Sequence, residues 1–370
     1  MAYEISKIPL ETLLPAIVRA EDRVARLDEA VRRSPVGGGF IERSHFFDSA
    51  ASMWVAGELV HVEDLVLHDA HMDVRAPSHE LTISHAILRT RRRIASAKPD
   101  WALSDRGLTA LSGIRDQEGE TVNLAVDERR GGGCEADEPD LLADEFALID
   151  AVLERSERLI SNMTKGDGGP ASASRGLVVG DLMIRDPDWD EADRLSQWRS
   201  VEMSVQDMPP TIAAALLFDA WETLEPAQRQ HWLGGLLIGA YLRSRGKVSS
   251  HLLAFNVGLK AISRDRRRAK DWTTRLIAFL EAMAAAADAG MRELVRLQQA
   301  QVLMERRLIG RRTSSSLPSV IELVLSRPMV SAAMVAKVIK VTPRGALNLI
   351  SELGIRELTG RGRYRAWGVL

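Results

Sequence analysis

Apolar residues recur every three or four positions along most of the chain, which predicts helices packed on a shared core. The first apolar stripe predicts a helix over residues 9–33, and a proline followed by the glycines at 37–39 is expected to end it. Its apolar positions are Leu13, Leu14, Ile17, Val18, Val24, Leu27 and Val31. Helical spacing returns over 49–69, with a break expected near Gly57, and again over 78–97.

The helical pattern continues through the second half of the chain. Residues 141–163 have helical spacing, and so do residues 191–241, where Pro209 and Pro210 interrupt it. The longest uninterrupted pattern covers residues 272–308. Strand-like alternation of any length is confined to the last fifteen residues, so the fold class is predicted to be mainly α.

Start and stop signals for three short helices lie close together near the C-terminus. The first helix is predicted from Leu317 to Arg327, and the second begins after Ser331 as its N-cap. The third is predicted over 344–353, after a Thr342-Pro343 cap and before Gly354, which suits a left-handed C-terminal position. The apolar residues of the second helix include Met334, Val335 and Val338, and the third helix is expected to bury Ala346, Leu347, Ile350 and Leu353.

A β-hairpin is expected to follow the third helix. Residues 355–358 and 363–369 are strand-like, and the segment between them contains two glycines. A helix-turn-helix followed by such a hairpin is a winged helix. The predicted architecture is therefore a helical N-terminal region followed by a C-terminal winged helix-turn-helix with a small β-hairpin wing.

Positive charge is concentrated in this C-terminal unit. The whole chain has a formal net charge of -2, whereas residues 311–370 contain ten basic and three acidic residues, a net charge of +7. Such segregation is what binding to phosphates requires. The sequence therefore indicates a protein that binds double-stranded DNA at specific sequences and acts as a transcriptional regulator. A basic winged helix that contacts another protein is the alternative.

The third helix and the hairpin supply the candidate DNA contacts. Thr342, Arg344, Asn348 and Ser351 lie on the polar side of the helix and are expected to face the major groove, where Asn can pair with adenine and Arg with guanine. The wing tip is expected to contact the backbone or the minor groove. The full candidate set is Lys340, Thr342, Arg344, Asn348, Ser351, Arg361, Arg363 and Arg365.

Segments near both ends resemble Fic-type proteins that carry a C-terminal winged helix. Residues 51–59 and 62–67 are similar to the family's inhibitory segment. Residues 306–308, the serine run after them and residues 317–370 resemble the family's junction and winged helix. The resemblance implies a helical scaffold whose catalytic loop, when intact, transfers AMP from a nucleotide.

The catalytic loop of that family is not reproduced here. The nearest segment, residues 231–237, begins with His231 but lacks the Pro, the acidic residue, the Asn and both Arg of the family's loop. Ala56 stands before Gly57, where the inhibitory Glu would be expected. The resemblance therefore implies a catalytically inactive, Fic-like scaffold. A Fic-type nucleotidyl transferase with an atypical loop is the alternative function.

Nearly the whole chain also resembles a group of uncharacterised helix-turn-helix proteins that are common in rhizobia and their plasmids. This resemblance implies a bacterial DNA-binding protein and no particular biochemical activity.

Other chemistry-bearing residues favour structural roles. The single Cys134 excludes an intramolecular disulfide and a thiolate-rich zinc site. His61, His68 and His71 lie among acidic residues and could ligate a metal, but a polar helix surface is favoured, so no metal site is expected. The arginine-rich runs at 89–93 and 264–270 could extend a DNA footprint, and a solvated or acid-paired face is favoured for each.

These patterns predict four segments: a helical region at 1–126, a linker at 127–140, a central helical domain at 141–310 and the winged helix at 311–370. No signal peptide or membrane span is apparent, so a cytoplasmic, nucleoid-associated location is expected. Neither catalytic residues nor a cofactor is predicted, and the protein is not expected to be an enzyme. A homodimer is expected because one recognition helix reads few base pairs. A small-molecule effector is left open.

Overall fold

A computed structural model of the protein describes residues 8–73, 76–112, 189–228, 230–308, 316–359 and 365–369. The helices before residue 113 are α1 Leu10–Arg33, α2 Gly37–Ala56, α3 Val62–Asp69, α4 His79–Ser96 and α5 Asp105–Ser112. Those from 189 to 308 are α6 Glu191–Ser204, α7 Pro210–Leu224, α8 Leu233–Ser244, α9 Phe255–Lys260, α10 Arg264–Arg267 and α11 Trp272–Glu305. Short 3-10 turns cover Trp101–Leu103 and Arg306–Leu308. The predicted linkers at 127–140 and 165–176 and the predicted helix at 141–163 lie outside the described residues.

The first helix is confirmed, but the glycine run after it was misinterpreted. Glycines 37–39 form the first turn of α2 instead of a loop. A Cβ atom on Gly37 would lie 2.5 Å from the carbonyl oxygen of Val31, and one on Gly39 would lie 2.8 Å from that of Leu325. Glycine is therefore needed here because two neighbouring backbones pass too close for any side chain.

Several predicted helix ends are confirmed with their capping geometry. The Ser78 hydroxyl accepts a hydrogen bond from the backbone N–H of Leu81 at 3.3 Å, which begins α4. Gly57, at a φ of 100°, ends α2 where the break was expected. The long predicted pattern at 272–308 is one continuous helix, α11, followed by a 3-10 turn.

We call helices α1 to α11 the helical body. Most of them contribute to one hydrophobic core that continues into the C-terminal unit, whereas the buried residues of α3 belong to a second cluster. Helix α11 lies beside α1, α7 and α9, and α7 and α8 are buried along almost their whole length. The indoles of Trp198 and Trp221 meet edge to face, with ring centroids 5.5 Å apart. This core combines helices that precede residue 113 in the sequence with helices that follow residue 188. The predicted division into two helical units stays a prediction.

The buried stripe of α1 is narrower than predicted. Leu13, Ile17 and Val24 are buried against the body, whereas Leu14 and Val18 are exposed. Consecutive helix positions differ by about 100° around the axis, so Leu14 and Val18 turn away from the face that α11 covers.

The C-terminal unit has three helices and three short strands. They are α12 Leu317–Ser326, β1 Val330–Ser331, α13 Ala332–Ile339, α14 Pro343–Leu353, β2 Arg356–Glu357 and β3 Ala366–Gly368. The antiparallel sheet has the order β1-β3-β2, so the predicted hairpin is joined by a third strand. Among the described residues, no helix is long and apolar enough to cross a membrane.

Candidate nucleic-acid interface

The turn between α13 and α14 is fixed by local backbone geometry. The Ser331 hydroxyl accepts from the backbone N–H of Met334 at 3.2 Å and begins α13. Lys340 ends that helix in the left-handed region, at a φ of 59°. The Thr342 hydroxyl then accepts from the backbone N–H of Gly345 at 3.1 Å and begins α14, which Gly354 ends at a φ of 64°. All the predicted caps of the two helices are thus observed.

Helix α14 buries one face and exposes the other. Ala346, Ile350 and Leu353 pack inward against the other helices of the unit. Arg344, Asn348 and Ser351 are exposed, and their spacing of four and three residues places them on one face. The predicted recognition surface is therefore accessible.

Leu347 was wrongly expected to be buried, and one apolar residue of the neighbouring helix is exposed as well. Leu347 is 39% exposed at the edge of the polar face of α14, while Val338 is exposed on α13. A helical wheel places Leu347 about 60° from both Arg344 and the buried Ile350, at the boundary between the two faces of α14. Leu347 is therefore a candidate contact that the sequence interpretation missed.

The other predicted contacts have different surroundings. Lys340 and Thr342 are exposed beside the start of α14. Lys337 on α13 and Arg356 on β2, which the sequence interpretation did not select, are exposed as well. Arg361 and Arg363 lie outside the described residues.

Arg365 forms an ion pair across the wing. Its guanidinium donates two hydrogen bonds to the carboxylate of Glu357, at 3.0 and 2.6 Å, and lies 5.1 Å from the centre of the Trp367 ring. Since both charges are exposed, the pair stabilises the protein little. It does offset much of the positive charge that Arg365 was expected to offer DNA.

The winged helix is held against the helical body by a network of two acids and two arginines. Arg92 donates to both carboxylate oxygens of Asp69, at 2.6 and 3.1 Å, and to Glu42 at 3.1 Å. Arg327, at the end of α12, reaches the same Asp69 at 3.3 Å. Both guanidiniums lie over the ring of Phe46, 5.1 and 5.2 Å from its centre. Arg327 therefore serves docking, although it was counted in the positive charge of the module.

A second connection runs through a buried arginine of α2. The Nε of Arg43 donates to the carboxylate of Glu293 on α11 at 2.6 Å. Its terminal nitrogens donate to the carbonyl oxygens of Arg327 and, at 3.3 Å, of Val369. Burial lowers the pKa of Arg43, and the charge of Glu293 opposes the shift. One body residue thus contacts both the first helix and the last strand region of the winged helix.

Low pH should weaken the contact between the winged helix and the helical body by protonating Asp69. Burial alone would raise its pKa, but hydrogen bonds from His85 and Arg92 and the charges of Arg92 and Arg327 outweigh burial and hold the pKa well below its usual range. The folded state therefore binds this proton less readily than the unfolded chain, so the stabilisation is present above about pH 4 and is lost as the pH falls.

We expect Asp69→Asn to lower the free energy of unfolding by about 2 kcal/mol near pH 7 and to flatten its loss as the pH falls below about 4. Urea unfolding at several pH values measures both effects. Asp22→Asn, in an exposed pair with Arg26, is the matched control. An Asp69→Asn variant with an unchanged pH profile would contradict the assigned role.

The other candidate sites have structural surroundings. No group of three metal-ligating side chains is found within the described ranges, and Nδ1 of His68 lies 3.0 Å from the carboxylate of Asp73. Arg91 and Arg92 are acid-paired, as favoured for the first arginine run. In the second run, Arg266 pairs with Glu281 at 2.6 Å.

The segment compared with a Fic loop is part of the core. Gly234 and Gly235 lie buried in the first turn of α8. A Cβ on Gly234 would lie 2.3 Å from the Trp221 ring, and one on Gly235 would lie 2.5 Å from the side chain of Asn256. These glycines allow close helix packing. Their Cα atoms face the side chains of neighbouring helices, whereas the glycines of an anion-binding loop would face a phosphate.

Comparisons with known proteins divide the chain in the same place as its structure. Residues 183–309 match a family described as a protein of unknown function (DUF1612), and residues 317–370 match a family described as an HTH DNA binding domain. The chain is 47% identical, over 382 aligned positions that cover all of both chains, to the protein named "Uncharacterized protein y4cF" from Sinorhizobium fredii. The rhizobial resemblance is confirmed, and none of these matches supports the Fic-type one. The chain belongs to the family of y4cF, and it ends in an HTH DNA-binding domain.

Proposed function

We propose that the protein is a sequence-specific DNA-binding protein, a transcriptional regulator, that places α14 in the major groove. The observation that carries the proposal is the amphipathic α14, whose apolar face is buried while Arg344, Asn348 and Ser351 face outward together. Its N-terminal end is open, and the N-terminal part of a recognition helix is the part that meets base edges. The proposed partner implies nucleoid DNA in the cytoplasm as the location.

Each exposed side chain suits a particular contact. Asn348 can pair with adenine and Arg344 with guanine, each through two hydrogen bonds. Leu347, beside Arg344 at the edge of this face, offers an apolar contact for a thymine methyl group. We assign Lys340 and Thr342, at the turn, to neighbouring phosphates and Ser351 to the groove.

The wing completes the proposed interface. Arg361 and Arg363 are assigned to the backbone or the minor groove because they flank the glycine of the predicted turn. Arg365 contributes through its position on the wing, since its charge is shared with Glu357.

Selection of bound fragments from genomic DNA by the full-length protein tests the proposal. We expect one enriched sequence motif, bound with an affinity that falls steeply as the salt concentration rises. Equal recovery of all fragments at every salt concentration would remove sequence-specific recognition from the proposal. No catalytic role is proposed, since the segment compared with a Fic loop packs as core.

A homodimer is proposed through the last turns of α11. Val302 and Leu303 are 49% and 60% exposed just before the winged helix, and Val295 is exposed one heptad before Val302. Pairing here would set two recognition helices apart by a fixed distance, as a palindromic site requires.

We expect the double variant Val302→Glu/Leu303→Glu to halve the molar mass measured by light scattering, because it would bury two carboxylates in the interface. Met203→Glu is the matched control, since Met203 is 72% exposed on α6. A wild-type protein that stays monomeric at micromolar concentration would contradict the dimer and leave the DNA contacts unaffected.

A further inference from the structure

The helical body contains an open cavity of about 280 Å³ between α1, α2, α9 and α11. Its wall is mainly apolar and includes Phe40, Phe47, Ala254, Val257 and Ala289. Small-molecule sites are typically concave, mainly apolar and equipped with a few polar groups. The volume is at the small end for such sites, so it suits a ligand of two or three rings at most.

The mouth of the cavity carries an aromatic ring and positive charge. Trp54, at the end of α2, is partly exposed there, and Nζ of Lys260 lies 5.5 Å from its ring centre. Lys260 has no carboxylate partner within the described part of the chain. A lysine beside an exposed indole, at the edge of an apolar cavity, fits a flat ring that bears an anionic group.

A buried histidine supplies an unused polar atom. The Ser250 hydroxyl donates to Asp28 at 2.7 Å, so its oxygen is left to accept from Nδ1–H of His251 at 3.0 Å. Nε2 of His251 is then an acceptor, and it has no hydrogen-bond partner although the ring is 5% exposed and forms part of the cavity wall. Burial also lowers the pKa of His251, which keeps the ring neutral. A buried acceptor without a partner is costly, so a ligand N–H or O–H would be favoured there.

We propose that this cavity binds a small aromatic anion, with its ring inside and its negative group at Lys260, and that the bound ligand changes how tightly the winged helix is held. The effect of the ligand on the winged helix rests on the proposed DNA-binding function. Binding of the ligand in the cavity does not.

The connection to the winged helix is Glu293. This residue belongs to the cavity wall, and its carboxylate also receives the hydrogen bond from buried Arg43 at 2.6 Å. Arg296, another wall residue, pairs with the other oxygen of Glu293 at 2.5 Å. A ligand that shifts this carboxylate changes the position of Arg43, which holds Arg327 and Val369 of the winged helix. Such coupling is reciprocal, so DNA must change ligand affinity by the same factor.

Fluorescence titration of the full-length protein with anilinonaphthalene sulfonate tests the site. N-phenylnaphthylamine is the matched probe, since it has the same rings and N–H without the sulfonate. We expect saturable binding of one sulfonate probe per chain. Lys260→Met should weaken the sulfonate probe about tenfold and leave the uncharged probe unchanged.

Filling the cavity should weaken both probes at least tenfold. Ala289→Leu does so from α11 and Ala254→Leu from the start of α9, and a melting curve shows which variants remain folded. If a folded filling variant binds both probes as wild type does, or if Lys260→Met weakens both equally, the proposed site is wrong.

The coupling is tested by DNA affinity with and without saturating sulfonate probe. We expect a change of threefold or more in the wild type and none in Glu293→Gln or, should that variant not fold, in Arg43→Met, which removes the donor that joins Glu293 to the winged helix. If the sulfonate probe does not change the DNA affinity of the wild-type protein, the proposed effect of the ligand on the winged helix is wrong. A protein that binds the probe but no DNA would instead contradict the proposed function and leave the site standing.

Discussion

Replacing Arg344 by alanine is expected to weaken binding of the full-length protein to its preferred DNA sequence by about 5- to 150-fold, equivalent to ~1–3 kcal/mol. Arg344 is exposed at the first turn of α14, and no carboxylate in the described residues is paired with it. Its guanidinium is therefore available for two hydrogen bonds to a guanine. Loss of these bonds would also relax the base preference at one position of the site, which competition with single-base variants measures.

Arg19→Ala is the matched control for Arg344→Ala. Arg19 is also an exposed helical arginine, but it lies on α1 in the helical body. Its replacement should leave DNA affinity within a factor of two. If Arg344→Ala weakens all DNA sequences equally and reduces the salt dependence, the residue contacts phosphate and its assignment to a base is wrong.

The C-terminal unit could be predicted from sequence because its signals are local. Ser331, Thr342 and Gly354 each specify a helix end through contacts with residues one to four positions away. The order of short elements then allows few arrangements other than a winged helix. Strand β1 was missed because two residues, Val330 and Ser331, are too few to show any alternation.

The docking of this unit onto the helical body could not be predicted. Arg43 meets Glu293 and Arg327 across 250 and 284 positions of sequence, and nothing in the local pattern pairs them. The need for glycine at position 39 could not be predicted either. It is explained only by the close approach of the Leu325 carbonyl, which is distant in sequence. Sequence periodicity reports which face of a helix is buried. It does not report which partner covers that face.

Charge was the least reliable guide to individual residues. Ten basic residues of the C-terminal segment indicated a positive surface, yet Arg327 and Arg365 are both paired with acids. Arg327 pairs with Asp69 of the body, and Arg365 with Glu357 of its own sheet. Net charge is a sum over residues, whereas phosphate binding depends on which charges stay exposed and unpaired.

The largest effect on stability is expected at a fully buried ion pair of the helical body. Asp48 on α2 and Arg91 on α4 contact each other, and neither side chain is exposed to solvent. Asp48 also accepts from the side-chain amide of Asn256 at 3.0 Å and the backbone N–H of Val257 at 3.1 Å, while Arg91 donates to the carbonyl of Leu252 at 3.2 Å. The pair thus joins α2 and α4 to the segment that begins α9.

Each charge of this pair depends on the other. Burial raises the pKa of Asp48, and the charge of Arg91 and hydrogen bonds from Asn256 and Val257 oppose that shift. Burial likewise lowers the pKa of Arg91, which Asp48 opposes. Arg91→Met should therefore leave an uncompensated buried carboxylate and lower the free energy of unfolding by about 3–5 kcal/mol, measured by urea denaturation.

Two further variants separate the ion pair from loss of packing. Arg26→Met removes an exposed arginine paired with Asp22, so it should change the free energy of unfolding by less than about 0.5 kcal/mol. Adding Asp48→Asn to Arg91→Met removes both charges and keeps an acceptor for Val257, so it should recover much of the lost stability. If the double variant is no more stable than Arg91→Met alone, the loss comes from the packing of the arginine stem and the electrostatic explanation fails.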